Sequence, residues 1–99
     1  MSRVFEKYVS ANQAFFIDWS LYLADANDGA ADTLATSTWQ VDSGLTVVAS
    51  SNTTTRAKVR VSGGTAGTTY RLENTITLTS SGYTDLAEIL IRVKADPIP

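Results

Sequence analysis

Apolar and polar residues alternate one by one along most of this chain, the period of two that marks a strand with one face in a core. The alternation is strictest over residues 56–62, where Ala57, Val59 and Val61 share one side and Arg56, Lys58 and Arg60 the other. It resumes over residues 70–79, with Tyr70, Leu72, Asn74, Ile76 and Leu78 on the inward parity, so Asn74 is the polar residue that must find a partner inside or lie at an edge. Between these runs stands GGTAGT, residues 63–68, which reads as a glycine-rich hairpin turn. Residues 59–79 are thus predicted to form a strand, a turn and a second strand on which the rest of the chain packs. A last strand over 85–94 points Ala87, Ile89, Ile91 and Val93 inward, and the prolines of DPIP end it.

Upstream the pattern predicts further strands. Phe15, Ile17 and Trp19 share one parity, while Phe16, Asp18 and Ser20 share the other. ADANDGAAD, residues 24–32, reads as a solvated loop. In TLATSTWQV, residues 33–41, Leu34 falls on one parity and Trp39 and Val41 on the other, which a β-bulge would reconcile. Asp42, Ser43 and Gly44 make a turn, Leu45 and Val47 open a short strand, and SSNTTT connects it onward. Residues 1–13 have no clean period. Val4, Tyr8 and Phe5 fit one face of a short helix, whereas Phe5, Lys7 and Val9 fit one face of a strand. The expected organisation is an arm at 1–13, a domain at 14–95 and a tail at 96–99. About seven short strands separated by turn signals predict an all-β antiparallel sandwich, with a small barrel as the alternative.

Composition narrows the function classes. The 99 residues suffice for one domain, and their net charge of −2 lacks the basic excess of a nucleic-acid binder; Arg56, Lys58 and Arg60 form the one basic row. The chain has neither cysteine nor histidine, which removes thiolate chemistry and the commonest general base and metal ligand. Its apolar runs are too short to span a bilayer and its amino end has no apolar signal core, so the expectation is a soluble chain with no membrane association.

What remains for catalysis is carboxylate pairs, Asp18 with Asp42 or Asp85 with Glu88, and solvent-facing carboxylates explain them more simply. The DANDG loop has the first spacing of a calcium loop in Asp25 and Asn27, but lacks the glycine at the sixth position and the glutamate at the twelfth, and a weak site among Asp25, Asp28 and Asp32 is the most it could offer. GGTAGT lacks the Gly-Lys pair of a phosphate loop and leads into a strand. No catalytic, cofactor or metal site is therefore predicted. Among the aromatics, Trp19 and Tyr70 belong in the core, and a sugar-binding platform would need Tyr22, Trp39 and Tyr83 exposed together.

GTTYRLENTITLTSSGYTDLAEILIRV, residues 67–93, resembles the last hairpin of immunoglobulin-like and fibronectin type III modules, with Tyr70 as the core tyrosine. A wider resemblance joins FFIDWSLYL at 15–23, DTLATSTWQVDSGLTV at 32–47 and VSGGTAGTTYRLENTITLTSSGYTD at 61–85. Together these are similar to a family of small virion proteins of tailed bacteriophages, although the segment before Gln13 departs from that family's short acidic lead-in. The resemblance implies a non-enzymatic immunoglobulin-like adaptor attaching a fibre or appendage to the virion, with a capsid decoration protein as one alternative and a carbohydrate-binding module for host adsorption as another. Its partners would be capsid, connector, tail or fibre proteins, with homo-oligomerisation in the assembly, no nucleic acid and no cofactor. Phe5, Tyr8, Tyr22, Tyr83 and Ile98 are the expected partner contacts, the first two on the arm, the last on the tail and the tyrosines 22 and 83 in connections.

Overall fold

The computed structural model describes residues 2–97. Seven strands form two packed sheets: β1 (Ser2–Tyr8), β2 (Gln13–Asp18), β3 (Leu34–Val41), β4 (Leu45–Asn52), β5 (Arg56–Gly63), β6 (Thr69–Leu78) and β7 (Thr84–Lys94), with one helical turn, α1 (Ser20–Leu23), after β2. One sheet has the order β1-β7-β6-β3 and the other β2-β5-β4. All ladders are antiparallel except β1 with β7, which is parallel. This is a β-sandwich in which the first strand is paired to the last instead of to the second.

The predicted alternation produces the core. Ala57, Val59 and Val61 of β5 meet Leu72, Ile76 and Leu78 of β6 and Ala87, Ile89, Ile91 and Val93 of β7 across the sandwich, and Phe15, Ile17 and Trp19 close it from β2. The predicted bulge lies between Leu34 and Thr36, after which Ser37, Trp39 and Val41 turn inward. The Trp39 indole N–H is buried there without a partner. Asn74 is fully buried and satisfied: its Oδ1 accepts from Trp19 Nε1 at 3.1 Å, and its Nδ2 donates to Ser37 Oγ at 2.8 Å and Thr38 O at 3.0 Å.

Two expectations are corrected. Residues 59–79 are not a hairpin, because β5 and β6 lie in different sheets. Both edges of β5 are occupied, by β2 and β4, so the following strand must cross to the opposite sheet. Residues 64–68 are the arch that carries it over the core. Gly64, at φ +99°, passes so close to Val93 and Leu45 that a Cβ would come within 2.7 Å and 3.1 Å of their methyl groups. The Tyr70 hydroxyl fastens the arch by accepting from Thr65 N at 2.9 Å. Hydrogen bonding from the Thr65 side chain first, and then from its backbone N–H, holds the Tyr70 phenol below its usual pKa.

The second correction concerns the arm. Ser2–Tyr8 lies in the sheet beside β7, in register from Ser2 with Glu88 to Tyr8 with Lys94. The strand alternative for this segment accounts for Phe5, Lys7 and Val9 facing inward. Lys7, 1% exposed, is held by the carbonyls of Tyr8, Val9 and Gly63 at 2.8, 3.2 and 2.8 Å. Burial lowers its pKa and the charge of Asp96 acts against that. A lysine in the middle of an apolar parity hid the strand, since its ammonium is matched by carbonyls that no sequence pattern reveals.

Candidate functional site

The sandwich measures 51 × 20 × 19 Å, a short rod with two broad faces and two ends. One end gathers α1, residues 24–33, the β4–β5 turn and the β6–β7 turn, tied by Trp19 N to Thr55 O, Leu34 N to Thr54 O and Thr79 N to Thr33 O. The other carries the β1–β2 turn, the β3–β4 turn and the arch. Among the described residues no group of acidic side chains could hold a metal ion. No helix among them is long and apolar enough to cross a membrane.

The carboxylates singled out in the sequence serve the backbone. Asp18 accepts from Ser20 N at 2.9 Å and lies 3.8 Å from Arg56, and the Ser20 hydrogen bonds in particular hold its pKa down. Asp42 accepts from Arg71 N at 2.9 Å in the turn after β3, on the opposite sheet from Asp18. Asp85 accepts from Leu86 N at 2.7 Å, whereas Glu88 sits on the outward parity 3.8 Å from Arg71. Neither proposed pair faces a common space.

Asp32 is buried and binds three amides, Thr33 N at 2.8 Å and Ser80 and Ser81 N at 3.0 Å each, pinning the β6–β7 turn to the start of β3. These donors, Ser80 first, lower its pKa to about 2. Because that lies below the ordinary carboxylate value of about 3.9, the stabilisation is complete above that value and fades as pH falls through about 2. Asp32→Asn is expected to melt several degrees below the wild type at pH 6, with the gap closing near pH 2; an equal gap in a thermal series at both pH values would contradict the assignment.

The expected contact residues are scattered. Phe5 is half-buried against Phe15, ring centroids 5.2 Å apart, and faces the core. Tyr8 is exposed on the outer side of β1 with the Lys94 ammonium 5.5 Å from its ring centre. Tyr22 is half-buried on α1, edge-on to Trp19, and burial raises its pKa, with Asp85 adding to the shift. Tyr83 is exposed at the same end and donates its hydroxyl to Asp28 at 2.9 Å, a contact that raises its pKa. Ile98 lies outside the described residues. Since Tyr22 and Trp39 both pack against the core, the aromatic platform required of a sugar-binding module is not formed.

Other exposed apolar residues mark the surface more strongly. Leu21, at 91% exposure, stands out on α1, and Val4 and Leu86 project from the outer face of the four-stranded sheet. On the outer face of the three-stranded sheet Phe16 is 51% exposed, beside the row of Arg56, Lys58 and Arg60. Parity put Phe16 and the basic row each on the outward side of its own strand, and the β2–β5 register brings them together; Leu21 gave no signal, because one helical turn has no readable period.

Residues 7–92 match the family described as podophage GP4 fiber-tail adaptor protein gp77. The chain belongs to this family. No curated protein matches it. The fibre-tail adaptor match runs from the buried Lys7 to within two residues of the end of β7, so it covers β2 to β6 whole, most of β7 and the last two residues of β1. Tyr8, Tyr22 and Tyr83 fall inside the matched region, and Phe5 and Ile98 fall outside it. As a member of the fibre-tail adaptor family, the chain is a virion component of a tailed phage.

Proposed function

We propose that this chain is a non-enzymatic, immunoglobulin-like adaptor that attaches a fibre to the phage tail, acting in several copies around the particle. The match to the fibre-tail adaptor family over residues 7–92 carries the reading. The fold supports it: the polar side chains that could do chemistry are spent on tying turns and ends, while exposed apolar and basic residues are left on separate faces. A rod with chemically different faces can contact two proteins at once, which is what an adaptor must do. The family description favours this role over capsid decoration.

The test is deletion and complementation. Particles made without the gene are expected to lack fibres while keeping filled heads, and the full chain supplied in trans should restore fibres and infectivity. Fibres at wild-type occupancy on deletion particles, counted by electron microscopy, would refute the proposal.

A further inference from the structure

We infer that the outer face of the three-stranded sheet docks an acidic loop of a partner virion protein, its carboxylates seated on Lys58 and Arg60; this rests on the adaptor reading. Arg56, Lys58 and Arg60 stand on the outward parity of β5, so neighbouring charges are about 7 Å apart along the strand. β5 is the central strand, and its neighbours do little to neutralise them. Arg56 has Asp18 at 3.8 Å and lies over the Phe16 ring, 5.2 Å from its centre. Among the described residues Arg60 donates to the Asn12 carbonyl, at 3.0 Å, and has no ion pair.

Lys58 is flanked in register by Phe16 on β2 and Ser51 on β4, and no ion pair is found for it among the described residues. On the β4 side the register places Ala49 beside Arg60 and Ser51 beside Lys58. These small side chains leave a shallow groove of about 170 Å³ lined by Ala49, Ser50, Ser51, Lys58 and Arg60. Two like charges with no ion pair among the described residues beside a low floor, in a chain whose net charge is −2, select an acidic occupant. The groove lies beside the edge strand β4, which suits an extended loop. The exposed Phe16 ring gives such a loop an apolar contact on the far side of Lys58.

The experiment measures binding of the purified full chain to two probes, fibre-less particles made without the chain and fibres released from wild-type particles, between 50 and 500 mM NaCl as set concentrations. On one of the two, wild-type affinity is expected to fall at least about tenfold over that range, Lys58→Glu to lose about tenfold and Lys58→Glu with Arg60→Glu about 100-fold. Arg92→Gln, on the exposed side of the opposite sheet, should stay within about twofold. Lys58→Glu leaves the Arg60 contact with Asn12 intact, and melting curves matching the wild type exclude misfolding as the cause.

Wild-type binding of both probes by the double variant, or binding indifferent to salt, overturns the docking assignment. So does self-association of the chain abolished by Lys58→Glu, which would make a second copy the occupant, or displacement of the probe by a short DNA duplex. If the wild-type chain binds neither probe and restores no fibres, the adaptor reading itself fails. If it restores fibres and the double variant does so equally, only the groove's role is lost.

Discussion

An Asn74→Leu variant is expected to unfold about 2 kcal/mol more easily than the wild type, because leaving one buried polar group, the Trp19 indole N–H, without a partner costs about 1–3 kcal/mol, and the Thr38 carbonyl, on an exposed residue, adds little. Leucine fills nearly the same volume, so the loss isolates hydrogen bonding. The Trp19 indole N–H and the Thr38 carbonyl both lose their partner, and Trp19 is buried too deeply to recruit water. Ser37 loses its amide donor as well, but it is only half-buried and can turn outward. For a domain of this size the loss lowers the thermal midpoint by roughly 8–16 °C. Urea unfolding with an unchanged slope and a lower midpoint would report it cleanly. A midpoint within about 3 °C of the wild type would mean that Asn74 is not the link between β2 and β3.

The arch makes the second large effect. Gly64→Ala is expected to cost about 3–4 kcal/mol, combining roughly 1–2 kcal/mol for an L-residue at positive φ with 1–3 kcal/mol for overpacking. Its new methyl group would meet Val93 Cγ2 and Leu45 Cδ2 in the core. Gly67→Ala serves as the control: its φ is +86°, but a Cβ there points into open space, so it should pay only the conformational part, about 1–2 kcal/mol. The difference between the two variants measures the closeness of the arch to the core. Equal losses in denaturant titrations would show that backbone conformation alone demands glycine at 64.

Much of the sandwich was legible because its residues keep one rhythm. Parity identified the inward side of β2, β5, β6 and β7, and the mismatch between Leu34 and Trp39 located the bulge. Pairing was less legible. Alternation says which side of a strand is apolar and nothing about which strand lies beside it, so the link from β5 to β6 read as a hairpin although it crosses between sheets. Asp32 shows the same limit for polar residues, since the amides that it binds at Ser80 and Ser81 lie nearly fifty residues away along the chain. Of the surface, the basic row was visible as charge in the sequence, but its groove depends on Ala49 and Ser51 arriving beside it through a register that shifts at the β4 bulge. Aromatic identity did not reveal that Phe5 and Tyr22 pack partly against the core, because an aromatic ring in an irregular segment is as readily turned inward as outward.

The parallel ladder between β1 and β7 has a mechanical meaning in a member of a fibre-tail adaptor family. Its register runs without a break from Ser2 with Glu88 to Tyr8 with Lys94. Because the two strands run the same way, a pull backward on the start of β1 and forward on the end of β7 slides one along the other. All the cross-strand bonds then take the load together, and they must break nearly at once. An antiparallel pair pulled from its open end would peel one bond at a time. The same ladder carries Lys7 in register with Val93, so the buried ammonium and its three carbonyls act as a latch behind the shear plane.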